Sequence, residues 1–333
     1  MLVLRILLTL MAAHLVYASN PYWQSVYLPS TGANLSCMFA GQPPNSKGVP
    51  TLLFLHGFPE GSYTWWPVMS TGLLDSYTLI APDMPGYNAS FAQGSSDSAY
   101  LVPAIASIIT ELITTHLGGQ VDLVAHDWGG GVGWWLAAVG QAHVRTLTIL
   151  NMAHPMGWQE GVRSVEGQQR ASAYVLSFIQ PGFSSYLTAD SSSVLQSWFA
   201  GEAWFSGQLK TALVNTWNLP HTVDAGLGWY RSNIRPHCPL NCTVWECFQQ
   251  GVSGTFDSMP NNGTVNIPVR VLWGAKDTAF DTPFQLAYMA TKVSPSTHLN
   301  ITQYPTASHW IAQEIPGTVA QEIRAFISQQ TVQ

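Results

Sequence analysis

Charge is scarce in this chain. Of 333 residues only 12 are Lys or Arg and 18 are Asp or Glu, and no basic run occurs anywhere. Nucleic-acid binding rests on neutralising many phosphates with cations, so that class of partner is excluded. Long apolar runs are short supply too: the stretch Ile6–Ala13 falls below the roughly 20 residues that span a bilayer, and no stable membrane partner is expected. There is no internal repeat and no long low-complexity tract, which removes solenoids and disordered tails. Cysteine is sparse, at four residues: Cys37, Cys238, Cys242 and Cys247.

What is present is apolar. Hydrophobic residues make up 47% of the chain and Trp alone contributes 14, a composition that folds rather than staying disordered. The length suits one large domain, or a core with a smaller companion, around a sizeable core. Oligomeric state is not legible.

Residues 1–18 read as a signal peptide: Arg5 is the early cation, Ile6–Ala13 the apolar centre, and Val16-Tyr17-Ala18 puts a small residue before a cut at Ser19. The expectation is a secreted protein, with an N-terminal membrane anchor in the secretory pathway as the alternative. Acceptors for N-glycosylation begin at Asn34, Asn88, Asn241, Asn262 and Asn300. An even cysteine count in an oxidising compartment suggests two disulfides, with the pairing left open. A zinc site built from the cysteine cluster and His237 is the rival, but its spacing matches no paired zinc motif.

Apolar, β-branched runs at Thr51–Leu55, Tyr77–Ala81, Val121–Ala125, Thr146–Asn151 and Val269–Trp273 alternate with helical segments. Such alternation predicts an α/β fold with a mostly parallel sheet covered by helices on both faces. Three runs end in polar residues and glycine: His56-Gly57, His126-Asp127 and Gly274-Ala275-Lys276-Asp277. Ligands of open α/β sheets bind beyond the carboxyl ends of the strands, so chemistry is expected there. From about Pro155 to Gly254 strand patterns give way to helical stretches such as Ala171–Ile179 and Ser193–Phe199. The expected organisation is a signal peptide over 1–18, a sheet core over 19–154 and 258–333, and an inserted, mostly helical cap over 155–257.

The segment Val124-Ala125-His126-Asp127-Trp128-Gly129-Gly130-Gly131 follows a strand and enters a helix. Small residues two before and two after Asp127 suit a sharp strand-to-helix turn that thrusts the middle side chain outward. An Asp before a helix is usually an N-cap. Here, however, polar partners stand at the ends of other strands: Asp277 after Leu272-Trp273-Gly274, and His309 in Ala307-Ser308-His309-Trp310. Nucleophile, acid and base then follow one another along the chain, with Asp281, Asp83 and His154 as substitutes. A carboxylate nucleophile attacks sp3 carbon, so a serine esterase is disfavoured.

Taken together, His-Gly-Phe-Pro-Glu at 56–60, Asp-Met-Pro-Gly-Tyr at 83–87, His-Asp-Trp-Gly-Gly at 126–130 and Ser-His-Trp at 308–310 resemble the epoxide hydrolase branch of the α/β-hydrolase superfamily, from about Pro21 onward. The resemblance implies an α/β-hydrolase fold, and hydrolysis of a small-molecule epoxide to a vicinal diol through an ester on Asp127. It implies water activated by His309 and Asp277, an oxyanion hole from the amides of Phe58 and Trp128, and cap tyrosines Tyr174 and Tyr230 that donate to the oxirane oxygen. His56 and Pro59 are expected beside the substrate, and no cofactor and no metal is called for. A haloalkane or haloacid dehalogenase shares the Asp nucleophile, but such enzymes often carry Asn where this chain has Phe58. A secreted, non-catalytic binding protein on the same fold is the remaining alternative. Pro85, Asn88 and a long segment from Arg235 to Gly263 depart from the family pattern.

Overall fold

The structure, a computed structural model, describes residues 21–91, 97–140, 142–236, 246 and 252–330. The leader expected over 1–18, the sequon at Asn241, and His237, Cys238, Cys242 and Cys247 lie outside the described residues.

Eight strands form the main sheet: β1 (Tyr22–Leu28), β2 (Ala33–Gly41), β3 (Thr51–Leu55), β4 (Thr78–Pro82), β5 (Val121–His126), β6 (Val144–Leu150), β9 (Val269–Gly274) and β10 (Leu299–Tyr304). Their order is β1-β2-β4-β3-β5-β6-β9-β10. All pairings from β4 through β10 are parallel, whereas β1 and β2 add an antiparallel edge that the sequence reading missed. The reason is exposure: in β1 only Val26 and Leu28 are buried, so no continuous apolar run announces it. The central strands do announce themselves, because both faces are covered. Leu53, Leu55, Leu123 and Ala125 enter the core on one face, and Leu52, Phe54 and Val124 enter that on the other. At roughly 1.5–3 kcal/mol for each large buried aliphatic, these strands anchor the sheet.

Between β6 and β9 the chain leaves the sheet and forms helices Pro155–Ser164, Glu166–Ala171, Val175–Phe178, Phe183–Trp198, Gly207–Trp217 and Thr222–Asn233, then a small hairpin of β7 (Ile234–Pro236) and β8 (Val252–Gly254). The helix expected over Ala171–Ile179 is split at Ser172–Tyr174. Buried indoles tie this layer down: Trp217 Nε1 donates to the Pro59 carbonyl at 2.5 Å and Trp229 Nε1 to the Pro85 carbonyl at 3.1 Å. Among the described residues no helix is long and apolar enough to cross a membrane.

Cys37 corrects the expectation of two disulfides. It is unpaired and fully buried in β2, where burial first, and the Asp83 carboxylate second, push its thiol up. A protonated thiol sealed in a core has no access to a partner sulfur. The sequon at Asn88 meets a similar obstacle. Asn88 Nδ2, the atom a glycan would use, donates to Asp83 Oδ1 at 2.7 Å, and Asn88 Oδ1 accepts from Thr216 Oγ1 at 2.7 Å.

The strand β5 runs straight into helix Asp127–Val139, and this junction needs small residues. A Cβ at Gly129 would stand 2.4 Å from the Leu55 carbonyl oxygen of β3, while one at Gly131 would meet its nearest atom, on Met152, at 3.4 Å. Gly129→Ala is therefore expected to lower stability by about 2–3 kcal/mol through overpacking. Gly131→Ala, by contrast, is expected to be neutral or stabilising by up to about 1 kcal/mol. Urea denaturation of both variants checks this, and equal losses would count against the close approach of β3 and this helix.

Candidate active site

Five loops converge at the carboxyl ends of β3, β5, β6, β9 and β10. The chain steps outward from β3 to β4 and returns across β3 to β5, so β3 and β5 flank the point where the strand order reverses. That is where a crevice opens in such sheets. Asp127 stands at this point with φ +49, a left-handed backbone uncommon for a side-chain-bearing residue. The turn aims its carboxylate at the loop after β3 instead of leaving it as a helix cap. Phe58 N–H donates to Asp127 Oδ1 at 2.8 Å. The approach requires Gly57, because a Cβ there would lie 2.1 Å from that oxygen. The Trp128 amide opens the helix, among the N–H groups that have no intrahelical acceptor.

His309, in the loop between β10 and helix Ile311–Glu314, faces the same carboxylate. Its Nε2 is 3.6 Å from Asp127 Oδ2, and its Nδ1 is 2.8 Å from Asp277 Oδ2. Asp277 is held in turn: Asn151 Nδ2 donates to its Oδ2 and the Ala279 amide to its Oδ1, both at 2.7 Å. Burial opposes ionisation of Asp127, but the hydrogen bond and charge of His309, the nearby His126 and the Phe58 amide together hold its carboxyl below the usual range. Burial likewise opposes a charged His309, yet Asp277 and Asp127 raise it well above an ordinary imidazole.

Tyr174 and Tyr230 come down from the helical layer into the cavity that Asp127 lines. Their rings lie 6.3 Å apart and nearly perpendicular, with Tyr230 edge-on to Trp128 at 5.0 Å. Burial first pushes both phenols up, helped by the Asp127 carboxylate, so both remain protonated donors. At these residues the cavity divides. One arm, enclosed by Trp128, Met152, Trp158, Phe256 and Phe280, leaves about 30 Å³ of room for water-sized spheres. The other, between Phe58, Pro59, Phe178, Trp198 and Trp310, leaves about 370 Å³.

The structure thus brings together Asp127, His309, Asp277, Tyr174, Tyr230, the Phe58 amide and Pro59. It does not bring in His56, which is corrected here as a substrate contact. His56 has no exposed surface, its Nδ1 meets the Gly57 carbonyl, and its Nε2 accepts from the Met84 amide at 2.9 Å. Among the substitutes, Asp281 caps helix Thr282–Lys292, Asp83 binds the Ser62 amide at 2.7 Å, and His154 contacts the Gly263 carbonyl while burial pushes it down to about 3. Asn151 was missed. Its position directly after the strand run at β6 is a signal of the same kind that exposed Asp127 and Asp277.

The family model described as alpha/beta hydrolase fold matches residues 50–314, and the chain belongs to that family. Among its relatives, an AB hydrolase superfamily protein of Bacillus subtilis is 27% identical over 311 residues, covering 91% of this chain and 98% of that protein. Epoxide hydrolase 4 of Mus musculus is 25% identical over 315 residues, covering 92% and 79%. A solved structure of Bacillus megaterium epoxide hydrolase in complex with an inhibitor superposes with a TM-score of 0.77 at 26% identity, covering 92% of this chain and all of that one. The matching hydrolase family and the relatives named epoxide hydrolase support an enzyme. The expectation of a secreted protein is corrected: these bacterial and mammalian relatives do not support it, and the expected leader lies outside the described residues.

The charged triad has a thermodynamic consequence. An imidazole raised in the folded state from its ordinary 6.5 stabilises the fold fully below about that pH. The contribution fades as pH rises through the native value. The stability advantage of the wild type over His309→Gln, read by urea denaturation, is therefore expected to be largest below about pH 6.5 and to shrink above it. A difference independent of pH would refute the charge assignment.

Proposed function

We propose that this enzyme opens epoxides with water through an ester on Asp127. The observation that carries the reading is that one cavity presents the Asp127 carboxylate, two protonated phenols and the His309–Asp277 pair to the same space. Tyr174 and Tyr230 hydrogen-bond the oxirane oxygen. Asp127 Oδ2 attacks a ring carbon, the carbon–oxygen bond breaks, and a tyrosine proton passes to the departing alkoxide. Asp127 Oδ1, already on the Phe58 amide, becomes the ester carbonyl oxygen. His309 gives its proton to the tyrosinate once Asp127 is esterified, and the neutral imidazole then takes a proton from a water that adds to the carbonyl carbon, with the growing charge on Oδ1 held by the Phe58 and Trp128 amides. Collapse releases the diol and restores the carboxylate. The sheet strands over 19–154 and 258–333 act as the core and 155–257 as the cap. Dehalogenation fits less well, since Phe58 offers no side-chain donor for a halide.

His309→Gln incubated with an aryl epoxide is expected to accumulate a covalent adduct, found by mass spectrometry on the peptide that holds Asp127, while turnover falls by about a thousandfold or more. Turnover with no adduct on Asp127 would overturn the ester. Tyr174→Phe and Tyr230→Phe are each expected to lower kcat/KM by about tenfold to a hundredfold, and the double variant far more.

Room in the cavity sets a further expectation. A water needs about 10–15 Å³ measured in this way, so the enclosed arm takes little more than a methyl-sized group. Styrene oxide should therefore be hydrolysed at least about a hundredfold faster than trans-stilbene oxide. Met152→Ala should narrow that ratio by opening the arm. Comparable rates on both epoxides with the unaltered enzyme would show that the arm does not limit the substrate.

A further inference from the structure

Gln168 takes no part in the reaction as written. It lies in helix Glu166–Ala171 and has no exposed surface. Its Nε2 donates to Ser172 Oγ at 2.8 Å and to the Ala279 carbonyl at 3.1 Å. Its Oε1 accepts from the Asp281 amide at 3.0 Å and from Gln285 Nε2 at 2.8 Å. A carboxamide has two N–H groups and two acceptor sites, so all are filled and one orientation is fixed. In a buried, uncharged network each of these partners is costly to leave unpaired, and the side chain cannot swing away.

The groups it holds are walls of the enclosed arm. Ala279 and Asp281 flank Phe280 in the chain. A carboxamide that donates before Phe280 and accepts after it grips the backbone as the next strand of a parallel ladder would. Phe280 lines the enclosed arm, its ring lies 6.3 Å from that of His309, and the Ala279 amide is the donor to Asp277 Oδ1. Ser172 accepts in addition from Trp158 Nε1 at 2.9 Å, and the chain reaches Tyr174 two residues later. Trp158 and Tyr174 line the same arm. Walls from helix Pro155–Ser164, from the break after helix Glu166–Ala171 and from the loop after β9 therefore meet at one side chain. Missing side chains allow the meeting: a Cβ at Gly167 would stand 2.1 Å from Asp281 Oδ2, and one at Gly161 2.9 Å from Gln168 Cγ.

We propose that Gln168 is a specificity-determining positioning residue: its carboxamide locks Phe280, Trp158 and Tyr174 together and so keeps the arm beyond Asp127 closed to a second large substituent on the oxirane. The arm is small because its walls cannot part. The substrate class that follows is an epoxide with one bulky apolar group, seated in the wide arm between Phe58, Phe178 and Trp198, and hydrogen or methyl on the other carbon.

The proposal rests on the epoxide reading and is tested apart from it. Gln168→Met keeps the volume and removes the hydrogen bonds. It is expected to lower the preference for styrene oxide over trans-stilbene oxide, as a ratio of kcat/KM, by at least about tenfold. Partial unfolding lowers both rates in proportion, so the ratio does not respond to stability. Gln169→Met is the control, since the Gln169 amide is also buried but bonds the Val162 carbonyl at 3.0 Å. It is expected to leave the ratio unchanged. A ratio that stays put in Gln168→Met, or moves as far in Gln169→Met, would overturn the proposal, as would equal rates on both epoxides with the wild type. Should Gln168→Met fail to fold, Ser172→Ala, which releases Trp158 Nε1, is expected to lower the ratio by about threefold or more. Independently of turnover, the Asp281 amide proton, covered by Gln168 Oε1, should exchange with solvent at least about tenfold faster in Gln168→Met than in wild type, read by NMR. Equal exchange would also overturn the lock. If the wild type hydrolyses no epoxide, the assigned reaction fails while exchange still decides whether Gln168 holds the Phe280 backbone.

Discussion

One hydrogen bond organises the site: the Phe58 amide on Asp127 Oδ1. It exists only because the backbone turns left-handed at Asp127, a conformation that costs a side-chain-bearing residue on the order of 1 kcal/mol or more. Relaxed to an ordinary cap, the carboxylate would fold back on its own helix and leave the crevice without a charge. The strain is sustained by packing on both sides. Helix Asp127–Val139 sits so close to β3 that Gly129 nearly touches the Leu55 carbonyl, and Gly57 lets the facing loop come within bonding distance. Strand β3 thus supplies both the contact that holds the turn open and the amide that orients its product.

The helical layer is tied into the same device. Trp217 donates to the carbonyl of Pro59, the residue after the one whose amide holds Asp127, and Trp229 donates to Pro85, next to the loop that binds His56 through Met84. Tyr230 follows Trp229 directly and packs on both Phe58 and Trp128. The phenol above the cavity and the amide below it are thus positioned by neighbouring residues of one packed unit. A shift of the helices would move donor and acceptor groups together. The departure at Pro85 has a role in this frame, since its carbonyl receives an indole that the helical layer buries.

What could be read from the sequence was what repeats or punctuates. Central strands buried on both faces appear as apolar runs, and small residues around Asp127 mark a turn too tight for side chains. Strand β1 could not be read, because an edge strand with one buried stripe looks like loop. The expected contact at His56 failed for a related reason. A histidine at a strand end looks available to a ligand, but whether the ring points into the crevice or under it depends on the next strand, and here it accepts from Met84 after β4. Asn151 and Glu60 work through other protein groups rather than on a substrate. Such residues are specified by three-dimensional partners, the Asp277 carboxylate and the His126 ring, that lie 126 and 66 positions away in the chain.

The arrangement of charge follows from burial. Asp127 and Asp277 place two carboxylates in a nearly dry space, which would be untenable without a cation, and the imidazole of His309 between them supplies it. In the mechanism we propose, attack by Asp127 removes one negative charge and the loss of a proton from His309 removes one positive charge. Net charge in the site is then the same before and after alkylation. Water that attacks the ester restores both charges together. That constancy matters in surroundings too apolar to screen a change in charge.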